Sequence, residues 1–119
     1  MNMGRKVTGG KYHALRKRKL HENRNKEGHA ILGEKRNKTI KVRGGNDKTI
    51  VLRADFANVL TKSGKTEKSK IINVIETPQN RFFARQNRLM KGAIIETSLG
   101  KAKITNRPSQ DGNVNAYLV

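Results

Sequence analysis

Arg16-Lys17-Arg18-Lys19 sets four cations side by side, with no carboxylate until Glu22. Side chains so placed point in several directions. That suits neutralising phosphates on more than one side and does not suit reading a base edge. Ahead of the run stand Arg5, Lys6 and Thr8-Gly9-Gly10-Lys11-Tyr12-His13; after it come Arg24 and Lys26. Residues 1–26 hold nine Lys or Arg and a single acid. Two glycine pairs also sit beside cations: Gly9-Gly10 before Lys11, and Gly44-Gly45 between Arg43 and Asn46. Backbone without a Cβ can come close to a phosphate and donate N–H groups to it. The plainer reading is a flexible spacer for the first pair and an ordinary hairpin turn for the second. Neither fits a Walker loop or a dinucleotide fingerprint.

Other chemistries find little support. His13, His21 and His29 recur every eight residues, which is neither a helical metal pair nor a finger spacing. There is no cysteine, so no thiolate site and no disulfide. The nine acids are scattered, whereas a metal-dependent nuclease clusters its carboxylates. No Gly-x-Ser-x-Gly is present. The chain is therefore expected to be no enzyme, and to need no cofactor, metal or small-molecule substrate. Aromatic residues are few: Tyr12, Phe56, Phe82, Phe83 and Tyr117. Phe56 and Tyr117 are expected in the core, and Tyr12 is the candidate for stacking on a base or ribose. Such scarcity favours binding folded nucleic acid through its backbone and shape.

Charge points the same way. The net charge is +18 over 119 residues, with an isoelectric point near 10.9. Residues 1–43 carry 14 basic and 3 acidic residues, and residues 44–119 carry 13 and 6. Both parts repel themselves, and a polyanion would relieve them. Cations recur on predicted strands (Lys41, Arg43, Arg53, Lys70, Lys101, Lys103, Arg107) and in segment 79–91 (Arg81, Arg85, Arg88, Lys91). A solvated face is the plain reading. With 27 basic residues against 9 acidic ones, the footprint of a nucleic-acid binder is the better one. A membrane is a poor partner: residues 5–26 offer only Val7, Tyr12, Ala14, Leu15 and Leu20 for an apolar face. No stretch is apolar enough to span a bilayer. The first residues lack the apolar region of a secretory signal, and a cytoplasmic location is expected.

The elements that must position these groups divide by composition. Residues 1–38 contain three of Val, Ile and Thr, and residues 39–119 contain 21. β-Branched residues suit a pleated surface. Residues 1–38 therefore read as a basic arm, too poor in apolar groups to order itself when free, with a short helical turn over 12–20 once bound. Residues 39–119 read as a β domain. Alternation and turn signals place strands at 39–43, 49–54 (running on as far as Leu60), 70–76, 92–97, 101–105 and 114–119, the last locked into the sheet. Segment 79–91 reads as a loop or a turn of helix. Six short strands predict a small antiparallel barrel-like domain, since closure removes exposed edges.

The motifs resemble one family. Thr8-Gly9-Gly10-Lys11-Tyr12-His13 followed by Leu15-Arg16-Lys17-Arg18-Lys19 is similar to the opening of the archaeal and eukaryotic small-subunit ribosomal protein family eS8. The resemblance continues through Val42-Arg43-Gly44-Gly45-Asn46, Leu52-Arg53-Ala54-Asp55 and Ile72-Asn73-Val74. It ends with Lys91-Gly92-Ala93-Ile94-Ile95-Glu96-Thr97, Leu99-Gly100-Lys101-Ala102-Lys103 and Arg107-Pro108 to Gln110-Asp111-Gly112. The short length resembles archaeal members, and residues 20–36 depart from the family pattern. The resemblance implies a barrel-like domain with an extended arm, assembled on small-subunit ribosomal RNA beside other small-subunit proteins. It selects RNA where the residues alone leave RNA and DNA open. The competing readings are a free-standing architectural DNA- or RNA-binding protein, which predicts dimer-forming surface, and a phosphotransfer or nuclease subunit, which predicts the missing acidic cluster.

Overall fold

A computed structural model of the chain describes residues 4–24 and 26–119. These include eight strands: β1 (Ile31–Leu32), β2 (Arg36–Lys41), β3 (Asp47–Ala54), β4 (Phe56–Leu60), β5 (Thr66–Glu76), β6 (Ile94–Thr97), β7 (Gly100–Ile104) and β8 (Asn115–Leu118). One short helix, α1 (Arg81–Arg85), lies in the segment read as a loop or a turn of helix. The class is mainly β with a closed barrel, as expected, but the strands number eight among the described residues in place of six. They divide into a barrel, β4-β5-β6-β7-β8, and a separate sheet, β1-β3-β2.

Strand parity decides how the barrel closes. From β4 to β8 each strand is antiparallel to the one before it. The fifth strand of such a meander runs in the direction of the first, so the closing pair has to be parallel. β8 pairs with β4 in that sense, with Asn58 opposite Asn115, Val59 opposite Ala116 and Leu60 opposite Tyr117. The expectation of an all-antiparallel barrel is corrected on this point.

β5 serves two neighbours. Its residues 66–70 pair with β4 and its residues 71–76 with β6. Between Ile71 and Asn73, and again between Val74 and Glu76, the register shifts. Such bulges bend and twist a strand. They also interrupt the period of two: Ile71 and Val74 are buried, while Ile72 between them is 58% exposed.

The interior is narrow, as a small barrel requires. Val59, Ile95 and Ile104 fill it alongside Ala57, Ala102 and Ala116. Fully burying an aliphatic side chain of this kind stabilises by about 1.5–3 kcal/mol. Phe56 and Tyr117, expected in the core, are 42% and 40% exposed. Alternation explains the difference: Ala57 and Ala116 take the inward positions, which turns their neighbours Phe56 and Tyr117 outward.

Two further boundaries differ from the sequence reading. The second strand does not run on to Leu60. At Asp55 the chain leaves the sheet for the barrel, and the Asp55 carbonyl accepts the Ile71 N–H at 2.8 Å. β2 begins at Arg36, ahead of Thr39, and β1 lies further upstream; both add to β3. Propensity missed them because Arg36-Asn37-Lys38 is polar and β1 has two residues; partner strand β3 supplies the order. Loop 105–114 joins sheet to barrel. The Val51 N–H donates to the Pro108 carbonyl at 3.0 Å. Asn106 braces the loop by donating to the Asn113 carbonyl at 2.6 Å and accepting the Asn115 N–H at 3.0 Å.

The buried core starts at Ala30. Upstream, the arm runs outward, and the radius of gyration is 21.2 Å, against about 13–14 Å for a compact chain of this length.

Candidate nucleic-acid interface

The arm carries its cations in the open. Arg5, Lys6, Lys11, Lys17, Arg18, Lys19, Arg24 and Lys26 are all exposed, as are Thr8, Gly10 and His13. Its first segment is a tight turn. The Gly9 N–H donates to the Lys6 carbonyl and the Lys6 N–H to the Gly10 carbonyl, each at 2.8 Å, and Arg5 Nη1 donates to the Gly9 carbonyl at 3.1 Å. Gly9 has φ +85°, a left-handed conformation open to glycine. This pair is a defined turn, where a spacer was the plainer reading. Tyr12 is exposed, with Lys6 Nζ 5.6 Å from its ring centre.

Arg16 differs from the rest of its run. Its guanidinium grips Glu22 with two bonds, at 2.7 and 3.2 Å, and the Glu22 carboxylate also accepts the Lys19 N–H at 3.2 Å. This closes a 3-10 turn over Leu20–Glu22. The Arg16 guanidinium first, and the Lys19 N–H second, hold the Glu22 carboxyl below its ordinary range. Only the acid at position 22 hinted at this in the sequence.

The second glycine pair caps the hairpin between β2 and β3. Gly44 and Gly45 have φ +82° and +72°, and Arg43 and Asn46 flank them in the open. At the far end of this hairpin Arg53 on β3 faces Arg36 on β2, two like charges directly across the ladder. Such a pair is destabilising without an anion nearby. Arg36 was not among the expected site residues, because only the register reveals its position.

Tertiary folding gathers four other predicted cations. Lys26 at the end of the arm, Arg88 and Lys91 after α1, and Arg107 before Pro108 line one open cleft of about 410 Å³. One carboxylate, Glu27, also lines it, and His29, Gln79, Ser109 and Gln110 complete its polar wall. Three chain segments meet there: the Leu89 N–H donates to the Ala30 carbonyl at 2.9 Å, and Arg88 bridges to Ile31. Arg81 and Arg85 stay apart from the cleft, on α1.

Among the described residues, the one carboxylate in an ion pair with a Lys or Arg is Glu22, held by Arg16; His21 Nε2 lies 3.8 Å from it. No group of three His, Asp or Glu side chains converges as a metal site among them, and no described helix is long and apolar enough to cross a membrane.

Fold and surface together define a class: a small basic β-barrel protein with an extended cationic arm, its described Lys and Arg residues other than Arg16 outside any ion pair. The family described as Ribosomal protein S8e matches residues 1–119, and the chain belongs to that family. It is 50% identical over 116 residues to the small ribosomal subunit protein eS8 of Methanocorpusculum labreanum, covering 97% of this chain and 93% of the relative. The protein of the same name from Nanoarchaeum equitans is 44% identical over 97% of this chain and 91% of its own. That of Methanocella arvoryzae is 42% identical over 97% and 93%.

Proposed function

We propose that this protein is a structural component of the small ribosomal subunit in the cytoplasm. It holds folded ribosomal RNA through its phosphate backbone and sits beside other small-subunit proteins, with no catalytic step of its own. Family membership and the names of its archaeal relatives support the assignment to the subunit. The observation that carries the RNA contact is the unneutralised charge: 27 basic residues, with ion pairs to one carboxylate among the described residues. Such a surface is stable at close range only against a polyanion.

The contacts fall into three groups. The arm, with Arg5, Lys6, Lys11 and the run at 16–19, threads between RNA segments and gains its order there. The Arg43-Gly44-Gly45-Asn46 turn and, at the other end of the same hairpin, Arg53 meet backbone. The cleft formed by Lys26, Arg88, Lys91 and Arg107 takes a phosphate-bearing strand. Co-sedimentation tests the reading. The native protein is expected to travel with small subunits and to stay bound through a moderate salt wash; recovery in the free fraction at low salt refutes it.

A further inference from the structure

Phe82 is held outward, with half of its surface open to solvent. It is the second residue of α1, 50% exposed, and two guanidinium groups lie against its ring. Arg81 Cζ is 5.2 Å and Arg85 Cζ 5.7 Å from the ring centre. The adjacent Phe83 is half-buried and carries Arg88 at 4.2 Å. A lone exposed ring needs no explanation; a ring flanked by two cations on a fixed support has a specific chemistry.

The support is well defined. Asn80 caps α1 by accepting the Phe82 N–H on its side chain at 2.9 Å. The Asn80 carbonyl accepts the Phe83 N–H at 3.1 Å and also bonds the hydroxyl of Thr77, itself buried. On the far side, the Arg88 N–H returns to the Phe83 carbonyl at 3.1 Å, and the buried Leu89 anchors the exit. Two cappings and a buried anchor hold the backbone that carries the ring.

We propose that Phe82 is a stacking site for one unpaired RNA base, with Arg81 and Arg85 swinging off the ring to pair the phosphates on either side of that base. An extruded nucleotide presents a π-face and anions within a few ångströms of each other, which is the complement of a ring between guanidinium groups. Every base has a π-face, so the site selects an unstacked base over a paired one and does not read sequence. The proposal rests on the RNA reading above and adds one place where the chain touches a base as well as backbone.

Two RNA hairpins, identical except for one bulged adenosine, test it with the full chain. Wild type is expected to bind the bulged hairpin about 5- to 100-fold more tightly, the range for stacking one base. Phe82→Leu should abolish that preference while keeping the melting temperature and the affinity for the paired hairpin. The chain has no tryptophan, so Phe82→Trp supplies a single reporter whose fluorescence should be quenched by the bulged hairpin alone. Equal binding of both hairpins by wild type and Phe82→Leu overturns the stacking site and leaves phosphate binding intact. Failure to bind either hairpin refutes the underlying RNA reading as well. A Phe82→Leu protein that keeps the bulge preference but fails to enter subunits overturns the proposal and assigns the ring to a protein neighbour.

Discussion

The arm and the barrel carry the same kind of charge on opposite kinds of support. In the barrel, each outward Lys or Arg stands on a strand whose alternate residues are buried: Lys101 and Lys103 flank Ala102 on β7, for example. Hydrophobic burial holds those cations in place before any ligand arrives. In the arm, Val7, Leu15 and Leu20 are exposed, and local order comes from the Gly9 turn and the Arg16–Glu22 grip. Isolated turns of that size are marginal in water, and exposed ion pairs contribute about 0–1 kcal/mol. The barrel is thus a preformed cationic surface. The arm, on the function proposed above, gains its order from the polyanion it reaches.

Replacing Arg16, Lys17, Arg18 and Lys19 together by Ala presses hardest on this contrast. Each phosphate contact contributes roughly 0.7–0.9 to the log–log salt slope, so the slope should flatten by about 3. Affinity near 0.1 M salt should fall about a thousandfold for cognate and unrelated structured RNA alike, with the melting temperature unmoved. A wild-type slope, or a loss confined to cognate RNA, would break the assignment of the arm to phosphate contact. Ile95→Ala makes the converse cut. It empties a fully buried barrel position and should cost about 2–5 kcal/mol in urea unfolding. The salt slope of whatever protein remains folded should be unchanged.

Smaller effects sharpen the comparison. Gly45 has open space where a Cβ would stand, but its φ is +72°. Gly45→Val should therefore lose about 1–2 kcal/mol through backbone strain alone, seen as a lower melting temperature; a melt like wild type would leave the turn merely permissive. The Glu22 carboxyl is the subtlest case. Its pKa in the folded chain is lowered, so the grip on Arg16 is whole above the ordinary value of 4.5 and is lost as pH falls through the lowered value. An NMR titration of the Glu22 carboxyl should show a midpoint below 4.5 that returns upward in Arg16→Ala. An unshifted midpoint would show that the Arg16–Glu22 grip does not hold in the free chain.

Some of this was legible from residue types alone, because it depends on local composition. A run such as Arg16-Lys17-Arg18-Lys19 cannot be buried, and strands rich in Val, Ile and Thr with glycine turns between them curl into a closed sheet. The positive φ of Gly44 and Gly45 follows from the same local logic. Pairing is a different matter. The opposition of Arg36 and Arg53, the outward turn of Phe56 and Tyr117, and the meeting of Lys26, Arg88, Lys91 and Arg107 all depend on register or on which segments pack together. A one-residue bulge in β5 is enough to bring Val74 to the buried face of Ile71, where strict alternation would turn it outward. Residue types alone specify a strongly cationic N-terminal segment ahead of a β domain, since charge and β-branching act residue by residue. Only the tertiary structure decided the five-stranded parity, the parallel seam and the grouping of cations into a cleft, because each is a relation between residues far apart in the chain.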